Sequence, residues 1–328
     1  MIAETGHELV VIDKLTYAAN LASLDSVAGD PRFQLLRLDI CEAGAMADAI
    51  AAVRPDAIIH LAAETHVDRS IDGPDAFIRT NILGAHVVLE TARRYWSTLS
   101  AEARGSFRIL HVSTDEVFGS LGPTGAFTER TAYDPSSPYS ASKAASDHIA
   151  RASFRTYGLP VLTCNSSNNY GPCQFPEKLI PLTILNALGL QPISVFGDGR
   201  NVRDWLHVED HARALLAVLK LGAVGETYNI GARAERTNLE IVETICDTLD
   251  ELRPADGGRR RLIRFVADRP GHDRRYAIDP TKIEQATGWR PRQTFEAGLR
   301  ATIEWYLANP SWWQPIRENV YRGERLGL

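Results

Sequence analysis

The sequence has 328 residues, of which 44% are hydrophobic and 23% charged, and its formal net charge at neutral pH is −5. This composition is typical of a globular chain with one large domain or two modest ones. The apolar runs are shorter than a membrane-spanning helix requires, and the N-terminus lacks the basic flank and apolar core of a signal peptide. We therefore expect a cytoplasmic protein with no membrane partner. The negative charge argues against a nucleic-acid partner.

The first half of the chain alternates β-branched runs with helical patterns. Strands are predicted over residues 8–13, 33–39, 57–63, 107–114 and 159–164, and helices over 21–28, 43–53, 75–99 and 140–157. This alternation predicts an α/β fold, a parallel sheet with helices on both faces. Polar or small residues follow each strand, at the sheet edge where ligands bind in such folds.

The alternation weakens after residue 172, where proline and glycine become more frequent. Helices are predicted over residues 179–188, 238–252 and 295–307, separated by irregular segments. These features predict a smaller, mixed α/β second lobe. The segment 204–230, a short strand, a helix and another strand, is predicted to return to the first sheet.

The four cysteines, Cys41, Cys164, Cys173 and Cys246, lie far apart and form no C-x-x-C pair. We therefore predict buried thiols, with neither a disulfide framework nor a zinc site. His207 and His211 are four residues apart but do not form an H-E-x-x-H motif, so no metal site is predicted there.

The segment Tyr139–Lys143 places a tyrosine and a lysine four residues apart at the start of a predicted helix. Four residues of helix turn through about 400°, so the phenol and the ammonium share one face. A neighbouring lysine favours the phenolate, which suits a base acting on an alcohol. An exposed helix pair is the alternative interpretation. Thr114, at the end of the preceding strand, favours catalysis because its hydroxyl can bond the same substrate oxygen.

Thr114, Tyr139 and Lys143, in a chain of βαβ units, resemble the Ser/Thr, Tyr, Lys set of the extended short-chain dehydrogenase/reductase superfamily. The segment Thr114–Gly119 is similar to the T-D-E-V-Y-G segment of the dTDP-glucose 4,6-dehydratases, with Phe118 in place of the usual tyrosine. The resemblance covers nearly the whole chain. Further matching blocks are Asp13–Tyr17, Leu61–Ser70, Asn168–Pro172, Phe175–Pro181, Arg203–Trp205 and Asp268–Tyr276.

The resemblance implies a Rossmann-like fold and an NAD-dependent conversion of dTDP-glucose to dTDP-4-keto-6-deoxyglucose, by oxidation at C4, elimination across C5 and C6, and hydride return to C6. Tyr139, held by Lys143, would take the 4-hydroxyl proton while Thr114 steadies the 4-oxygen. Glu116 would take the C5 proton, and Asp115 would protonate the 6-hydroxyl. Two carboxyls in different protonation states suit this elimination, although a solvated turn is the alternative for such a pair. A sugar 4-epimerase needs no acid pair.

Asp13, at the end of its strand, suits the hydroxyls of an adenosine ribose and would repel a 2′-phosphate, which favours NAD over NADP. A turn aspartate is the alternative. By resemblance, Tyr139 and Lys143 also contact the cofactor. The further cofactor residues implied are Lys14, Leu15, Thr16, Asp39, Ile40, Leu61, Ala62, Ala63, Thr65, Thr80 and Asn169.

Lys178 and Arg203 are the cations expected at the substrate diphosphate, where an arginine suits a bidentate grip. The basic run 259–261 is interpreted as a solvated loop. The other substrate residues implied by the resemblance are Thr65, Thr114, Asp115, Glu116, Asn168, Leu179, Val195, Phe196, Asn238, Asp268, Arg269, Pro270, Gly271 and His272.

The predicted NAD-binding domain comprises residues 1–173 and about 204–232, and the nucleotide-sugar lobe comprises about 174–203 and 233–328. A fold of this kind opens with a strand and a glycine-rich turn that receives the pyrophosphate. Residues 1–7 instead resemble the end of a helix that follows such a turn. We therefore expect that the strand and the glycine-rich turn are missing from this sequence, and we favour an artificial truncation. Without that first strand, we expect two neighbouring strands of the sheet to lack the partner that would join them. We also expect weakened NAD binding.

Three alternatives stay open at this stage. They are a dehydratase for another nucleotide sugar, a 4-epimerase, and an inactive truncated binding subunit. The resemblance also implies a homodimer formed through the helices over 75–99 and 140–157.

Overall fold

The structure is a computed structural model that describes residues 1–324 and 326. The strands are β1 (Leu9–Asp13), β2 (Phe33–Arg37), β3 (Ala57–His60), β4 (Arg108–Thr114), β5 (Val161–Ser166), β6 (Asn168–Tyr170), β7 (Ile193–Phe196), β8 (Val202–His207), β9 (Thr227–Ile230), β10 (Glu235–Thr237) and β11 (Ile263–Val266).

The α-helices are α1 (Ala43–Val53), α2 (Val67–Asp72), α3 (Asp75–Phe77), α4 (Ala85–Thr98), α5 (Ala101–Ser106), α6 (Pro138–Tyr157), α7 (Leu179–Leu188), α8 (Val208–Leu221), α9 (Asn238–Leu252), α10 (Thr281–Thr287), α11 (Phe295–Ala308) and α12 (Pro310–Asn319). Short 3-10 helices cover Leu21–Leu24, Asp115–Phe118 and Arg260–Leu262, and a π-helical segment covers Ile78–Gly84.

The main sheet is parallel throughout, with strand order β3-β4-β5-β9. Its central strands are buried over nearly their whole length, because helices cover both of their faces. β1 and β2 form a separate parallel pair, and within residues 1–324 and 326 no strand joins β1 to β3. These parallel sheets with packed helices confirm the predicted α/β class.

Alternating side chains of β4 enter two different cores. Ile109 packs with residues of α4 and α6, whereas Leu110 and Val112 pack with residues of α8 and α10. This alternation follows from the two-residue period of a strand. Helices therefore cover both faces of the main sheet, as the sequence predicts.

The second lobe has its own core, formed by side chains of α7, α9, α11, α12 and β7. Two small sheets accompany it, one with β7 parallel to β11 and one with order β10-β8-β6. The predicted return of segment 204–230 is seen in α8, which packs on the main sheet, and in β9, its last strand. β8 itself pairs with β6 and β10 rather than with the main sheet.

Several local predictions are wrong. The helix predicted over 21–28 is a single 3-10 turn, and residues 2–4 form a turn rather than a helix end. The helix predicted over 75–99, by contrast, is confirmed over 75–98, where α3, the π-helical segment and α4 follow one another without a break. At its centre Gly84 lies so close to Ile40 that an added Cβ would stand 2.6 Å from the Cδ1 atom of that side chain.

The basic run and the cysteines also differ from expectation. Arg259 is buried and donates to the carbonyl oxygens of Ala187 and Leu249, so it is not part of a solvated loop. Cys164 and Cys246 are buried as predicted, but Cys173 is exposed and Cys41 is only partly buried.

Candidate active site

Thr114, Asp115 and Glu116 stand where β4 ends and the chain turns into a 3-10 helix. The hydroxyl of Thr114 accepts a hydrogen bond from the backbone N–H of Glu116 at 3.3 Å, which caps this turn. Gly119 ends the turn with φ of +80°, and an added Cβ would stand 2.4 Å from the carbonyl oxygen of Asp134. The close approach of this backbone fixes the carboxyl pair at the carboxyl edge of the sheet.

Tyr139 lies in the first turn of α6, one residue after its N-terminal proline. Ser137 and Ser140 form a capping box that fixes where the helix begins. The phenol ring is buried and meets the edge of the Phe77 ring at a centroid distance of 6.3 Å. Thr114 acts on its hydroxyl as a hydrogen-bond donor that favours the phenolate. The structure therefore brings the two predicted hydroxyl groups together.

Burial raises the pKa of Tyr139, and the negative charge of Glu116 raises it further, while the hydrogen bond from Thr114 opposes both. The Nζ atom of Lys143 donates to the carbonyl oxygen of Val112 at 2.8 Å, and burial lowers the pKa of this lysine. The phenolate expected from the sequence is thus not favoured in this arrangement, because burial and the charge of Glu116 outweigh the hydrogen bond from Thr114.

Asp115 and Glu116 have different surroundings. Asp115 is 1% exposed, and its Oδ2 atom has no hydrogen-bond partner among the described residues. Burial, and then the charges of Glu116 and Asp204, raise the pKa of Asp115 well above its usual value. Burial also raises the pKa of Glu116, but three cations oppose that shift. The protonated form is therefore favoured more strongly at Asp115 than at Glu116.

A cleft of about 290 Å³ lies between the carboxyl edge and the second lobe. Eleven of the predicted substrate residues line it: Thr65, Glu116, Asn168, Lys178, Leu179, Val195, Phe196, Arg203, Asn238, Arg269 and His272. The other five predicted substrate residues, Thr114, Asp115, Asp268, Pro270 and Gly271, are not among the lining residues. Thr114 and Asp115 are buried, and Asp268 accepts a hydrogen bond from the His272 ring at 2.6 Å.

Three cations line the cleft and act on Glu116, namely Arg269, Arg203 and Lys178. The Nζ atom of Lys178 donates to the carbonyl oxygen of Thr65 at 2.8 Å. Arg203 is buried, and its guanidinium lies 4.1 Å from the ring centroid of Tyr276. Such a cluster of positive charge suits a polyanionic ligand.

Arg269 reaches across the cleft to the first domain. It donates to Asp68 of α2 at 2.8 Å, and its Nε atom is buried without a hydrogen-bond partner among the described residues. Asp68 was not predicted as a site residue, although it stands inside the matching block Leu61–Ser70. Glu177 was also missed, and only its place in the block Phe175–Pro181 signals it.

Glu177 connects the loop after β1 to the second lobe. Its two carboxylate oxygens accept from the Tyr17 hydroxyl at 3.0 Å and from Arg69 Nε at 2.9 Å. The guanidinium of Arg69 also lies 3.9 Å from the ring centroid of Tyr17. These contacts hold the predicted cofactor loop against the side of the substrate cleft.

The predicted cofactor residues after β1 gather around Lys14. Its Nζ atom donates to Thr80 at 3.2 Å and lies 3.9 Å from the Asp39 carboxylate. The exposed carboxylate of Asp13 accepts from the backbone N–H of Leu15, which has φ of +56°. Thr16 completes this loop, and Ile40 is buried behind it.

The remaining predicted cofactor residues lie at the edge of the main sheet. Leu61, which follows β3, is 54% exposed, and Ala62 and Ala63 continue from it toward Thr65. Asn169 in β6 lines the cleft. Tyr139 and Lys143 face the same edge from α6.

Within residues 1–324 and 326, no group of three His, Cys, Asp or Glu side chains is arranged to hold a metal ion. His207 instead caps α8, and the ring of His211 is hydrogen-bonded to Ser166 at 2.7 Å. No helix in the described part of the chain is long and apolar enough to span a membrane.

Comparisons with known proteins point to one family. The family model of GDP-mannose 4,6 dehydratase matches residues 1–302. A probable dTDP-glucose 4,6-dehydratase of Sinorhizobium fredii is 58% identical over 321 residues, which cover 98% of this chain and 92% of the relative. The dTDP-glucose 4,6-dehydratase of Neisseria meningitidis is 56% identical over 332 residues, which cover 100% of this chain and 94% of the relative.

A solved structure agrees with these relatives. The dTDP-glucose 4,6-dehydratase of Streptomyces venezuelae, with NAD and the ligand TYD bound, is similar with a TM-score of 0.87 and 45% identity, covering 95% of this chain and 91% of that one. The UDP-glucose 4-epimerase of Thermotoga maritima has a TM-score of 0.82 at 26% identity, covering 94% and 93%. The resemblance is confirmed: the protein belongs to the dTDP-glucose 4,6-dehydratase family of the extended short-chain dehydrogenase/reductase superfamily.

Proposed function

We propose that this protein is an NAD-dependent hydro-lyase that converts dTDP-glucose to dTDP-4-keto-6-deoxyglucose and water. Family membership supports the reaction class, and the relatives from Sinorhizobium fredii and Neisseria meningitidis are named for this substrate. The Streptomyces venezuelae structure, which has NAD bound, supports the cofactor. The single observation that carries the proposal is the unequal environment of two adjacent carboxyls, Asp115 and Glu116.

Three observations support NAD as the cofactor. Asp13 presents an exposed carboxylate at the end of β1, where it can accept from ribose hydroxyls. Leu61 presents an exposed apolar side chain at the end of β3, and the Oδ1 atom of Asn169 is buried without a partner among the described residues. We assign Asp13, Lys14, Leu15, Thr16, Asp39 and Ile40 to the adenosine end, and Leu61, Ala62, Ala63, Thr65, Thr80 and Asn169 to the phosphate and nicotinamide side.

Tyr139 is the base that removes the 4-hydroxyl proton, and Thr114 holds the same oxygen. When bound, NAD⁺ supplies the acceptor for the C4 hydride and returns it at C6, and its positive charge adds to that of Lys143. The raised pKa of Tyr139 is then lowered as the site fills, because a cation favours the charged form of a phenol. The 4-ketone that results acidifies the neighbouring C5–H bond.

Glu116 and Asp115 divide the elimination between them. Glu116 lines the open cleft beside three cations, which favour its carboxylate, so it can take the C5 proton and give it back to C5 when the hydride returns to C6. Asp115 is held protonated by burial and by its neighbouring carboxylates, so it can give a proton to the departing 6-hydroxyl. A neutral acid beside an ionised base is the pairing that loss of water requires.

The nucleotide binds along the rest of the cleft. We assign the diphosphate to Lys178, Arg203 and Arg269, since these three cations line the cleft and all act on Glu116. The remaining positions assigned to the nucleotide are Asn168, Leu179, Val195, Phe196, Asn238, Asp268, Pro270, Gly271 and His272. On this basis residues 1–173 and about 204–232 form the cofactor domain, and about 174–203 and 233–328 form the nucleotide-sugar lobe.

Product analysis tests the proposal directly. The purified protein is incubated with NAD⁺ and dTDP-glucose, and a 4-keto-6-deoxy product is sought by mass spectrometry. The variant Glu116→Gln should form no product, whereas the matched variant Glu318→Gln, at an exposed glutamate of α12, should match the wild type. Formation of dTDP-galactose would show that the protein is a 4-epimerase instead. Turnover of a different nucleotide sugar, with none of dTDP-glucose, would show that the proposed substrate is wrong.

We also propose a cytoplasmic homodimer. An exposed apolar surface runs along the π-helical segment and α6, with Ile78 at 53% and Leu83 at 46% exposure, next to Ile82 and Ile149. A second copy of this face would cover these side chains. Sedimentation should give a dimer for the wild type and a monomer for Leu83→Glu; a monomeric wild type would exclude this assembly. The free thiols, among which Cys173 is exposed, fit a reducing compartment.

A further inference from the structure

A buried carboxylate lies behind the active site and has no part in the steps above. Asp147 of α6 is 1% exposed and accepts four hydrogen bonds. Its Oδ1 atom accepts from the His111 ring at 3.0 Å. Its Oδ2 atom accepts from Ser113 at 2.8 Å, from Tyr133 at 2.9 Å and from Asn165 at 3.3 Å.

These partners tie α6 to the two central strands. His111 and Ser113 belong to β4, and Ser113 immediately precedes Thr114. Asn165 of β5 also donates to the carbonyl oxygen of Thr114 at 3.1 Å. Asp147 therefore fixes the helix that carries the tyrosine and the lysine against the strand that carries the threonine.

The four donors are neutral groups, so they do not neutralise the carboxylate. Burial lowers the pKa of His111, and its Nδ1 atom has no partner among the described residues, which leaves the proton on Nε2 facing Asp147. Burial by itself raises the pKa of Asp147, but the hydrogen bonds from His111 and Ser113 and the charge of Lys143 hold it below its usual value. A buried anion of this kind is stable only beside a compensating cation.

Lys143, one helical turn before Asp147, is that cation. Burial lowers the pKa of Lys143, and the charge of Asp147 opposes this. The other titratable groups on which the charge of Lys143 acts are His111 of β4 and His60 of β3. Burial lowers the pKa of both histidines, so they are neutral at neutral pH and Asp147 is the charged group opposite the lysine.

We propose that Asp147 is a positioning residue that keeps Lys143 charged and in place beneath the substrate hydroxyl. The geometry points to this role because a buried anion, held by four neutral donors on β4, β5 and the loop before α6, lies one helical turn from a buried ammonium. The role of Asp147 in catalysis rests on the proposed function of Lys143, whereas its effect on the charge of Lys143 does not.

The titration of Lys143 tests this directly. The chain has five lysines, so ¹³C labelling at the lysine ε-carbon gives few signals, and Lys143→Arg identifies the one that belongs to Lys143. In Asp147→Asn the midpoint of this signal should move down by about one pH unit or more. In Tyr133→Phe, which removes one hydrogen bond but keeps the charge, the midpoint should stay within about 0.3 units of the wild type. An unchanged midpoint in Asp147→Asn would overturn the proposal.

The pH dependence of kcat gives a second measurement. Loss of the negative charge lowers the pKa of both Lys143 and Tyr139, so both limbs of the profile should move to lower pH in Asp147→Asn and neither in Tyr133→Phe. A residue that only supported the fold would lower thermal stability without moving either limb. If Asp147→Asn does not fold, Asp147→Ser leaves room for water beside the donors and is measured in the same way. A wild type that makes no product refutes the proposed function, while the lysine titration still decides the role of Asp147.

Discussion

Replacing Asp115 with asparagine should stop the elimination while leaving the steps before it intact. The side chain keeps its shape, and burial raises the pKa of the wild-type carboxyl and so favours its neutral form, which means that an amide changes little except the ability to give up a proton. General acid catalysis contributes about 10²- to 10⁴-fold, which is about 3 to 5 kcal/mol of barrier. Product formation in Asp115→Asn should fall by that factor.

The assay separates the acid from the base by deuterium exchange. In D₂O, Asp115→Asn should still exchange the C5 hydrogen of dTDP-glucose, because Glu116 remains in the cleft and can remove it. The recovered substrate should therefore gain one deuterium by mass spectrometry. Glu116→Gln should show neither exchange nor product. Normal turnover by Asp115→Asn, or the loss of its C5 exchange, would refute the division of roles between these two residues.

The same substitution should not destabilise the fold. A carboxyl whose pKa is raised on folding stabilises the protein only at low pH, and that contribution is lost as the pH rises through the folded-state value. At neutral pH the buried Asp115 therefore costs stability, and the neutral amide removes this cost. The urea midpoint of Asp115→Asn should be equal to or above that of the wild type. A clear fall would show that Asp115 is an ionised and well-bonded group.

Three further outcomes are expected. Arg269→Gln should weaken the binding of dTDP, measured by calorimetry, about tenfold or more, since hydrogen bonds to charged groups contribute about 1.5–3 kcal/mol. The control Arg130→Gln, at an exposed arginine, should bind dTDP like the wild type. Equal affinities of the two variants would show that Arg269 does not bind the diphosphate. Glu177→Ala should lower the free energy of unfolding by about 2 kcal/mol, because the Tyr17 hydroxyl and a guanidinium lose their acceptor; an unchanged urea midpoint would contradict this. Burial raises the pKa of Asp204 to about 6. The contribution of Asp204 to the free energy of unfolding should therefore fall by at most about 3 kcal/mol as the pH rises from about 4 to about 6. Asp204→Asn should lack that slope in urea unfolding, and parallel slopes would argue against a raised pKa.

The sequence was sufficient where one local pattern decides the structure. The buried strands β4 and β5 are apolar because helices cover both faces, so a continuous apolar run marks them. The serine and proline before Tyr139 mark the start of α6 through capping. The order of the motifs then predicts that Asp115 and Glu116 lie at the end of β4.

Long-range geometry was out of reach of the sequence. Burial has the largest effect on the pKa of Tyr139, and the sequence pattern around Lys143 does not indicate it. The extent of burial depends on how the whole site packs. Arg259 is buried because carbonyl oxygens of α7 and α9 surround it, and no composition rule signals that. The pair of Asp68 and Arg269 joins residues 201 positions apart.

The separation of β1 and β2 from the main sheet makes them a unit with its own opening equilibrium. A two-stranded sheet has little stability by itself, so this one relies on packing against α1 and α4 and on the contacts of Tyr17 and Asn20 with the second lobe. Amide protons of Leu9–Asp13 should therefore exchange through local opening well before those of β4. On the proposed assignment the adenosine end of the cofactor binds to this unit, so each opening of β1 should loosen the cofactor while the carboxyl pair stays in place.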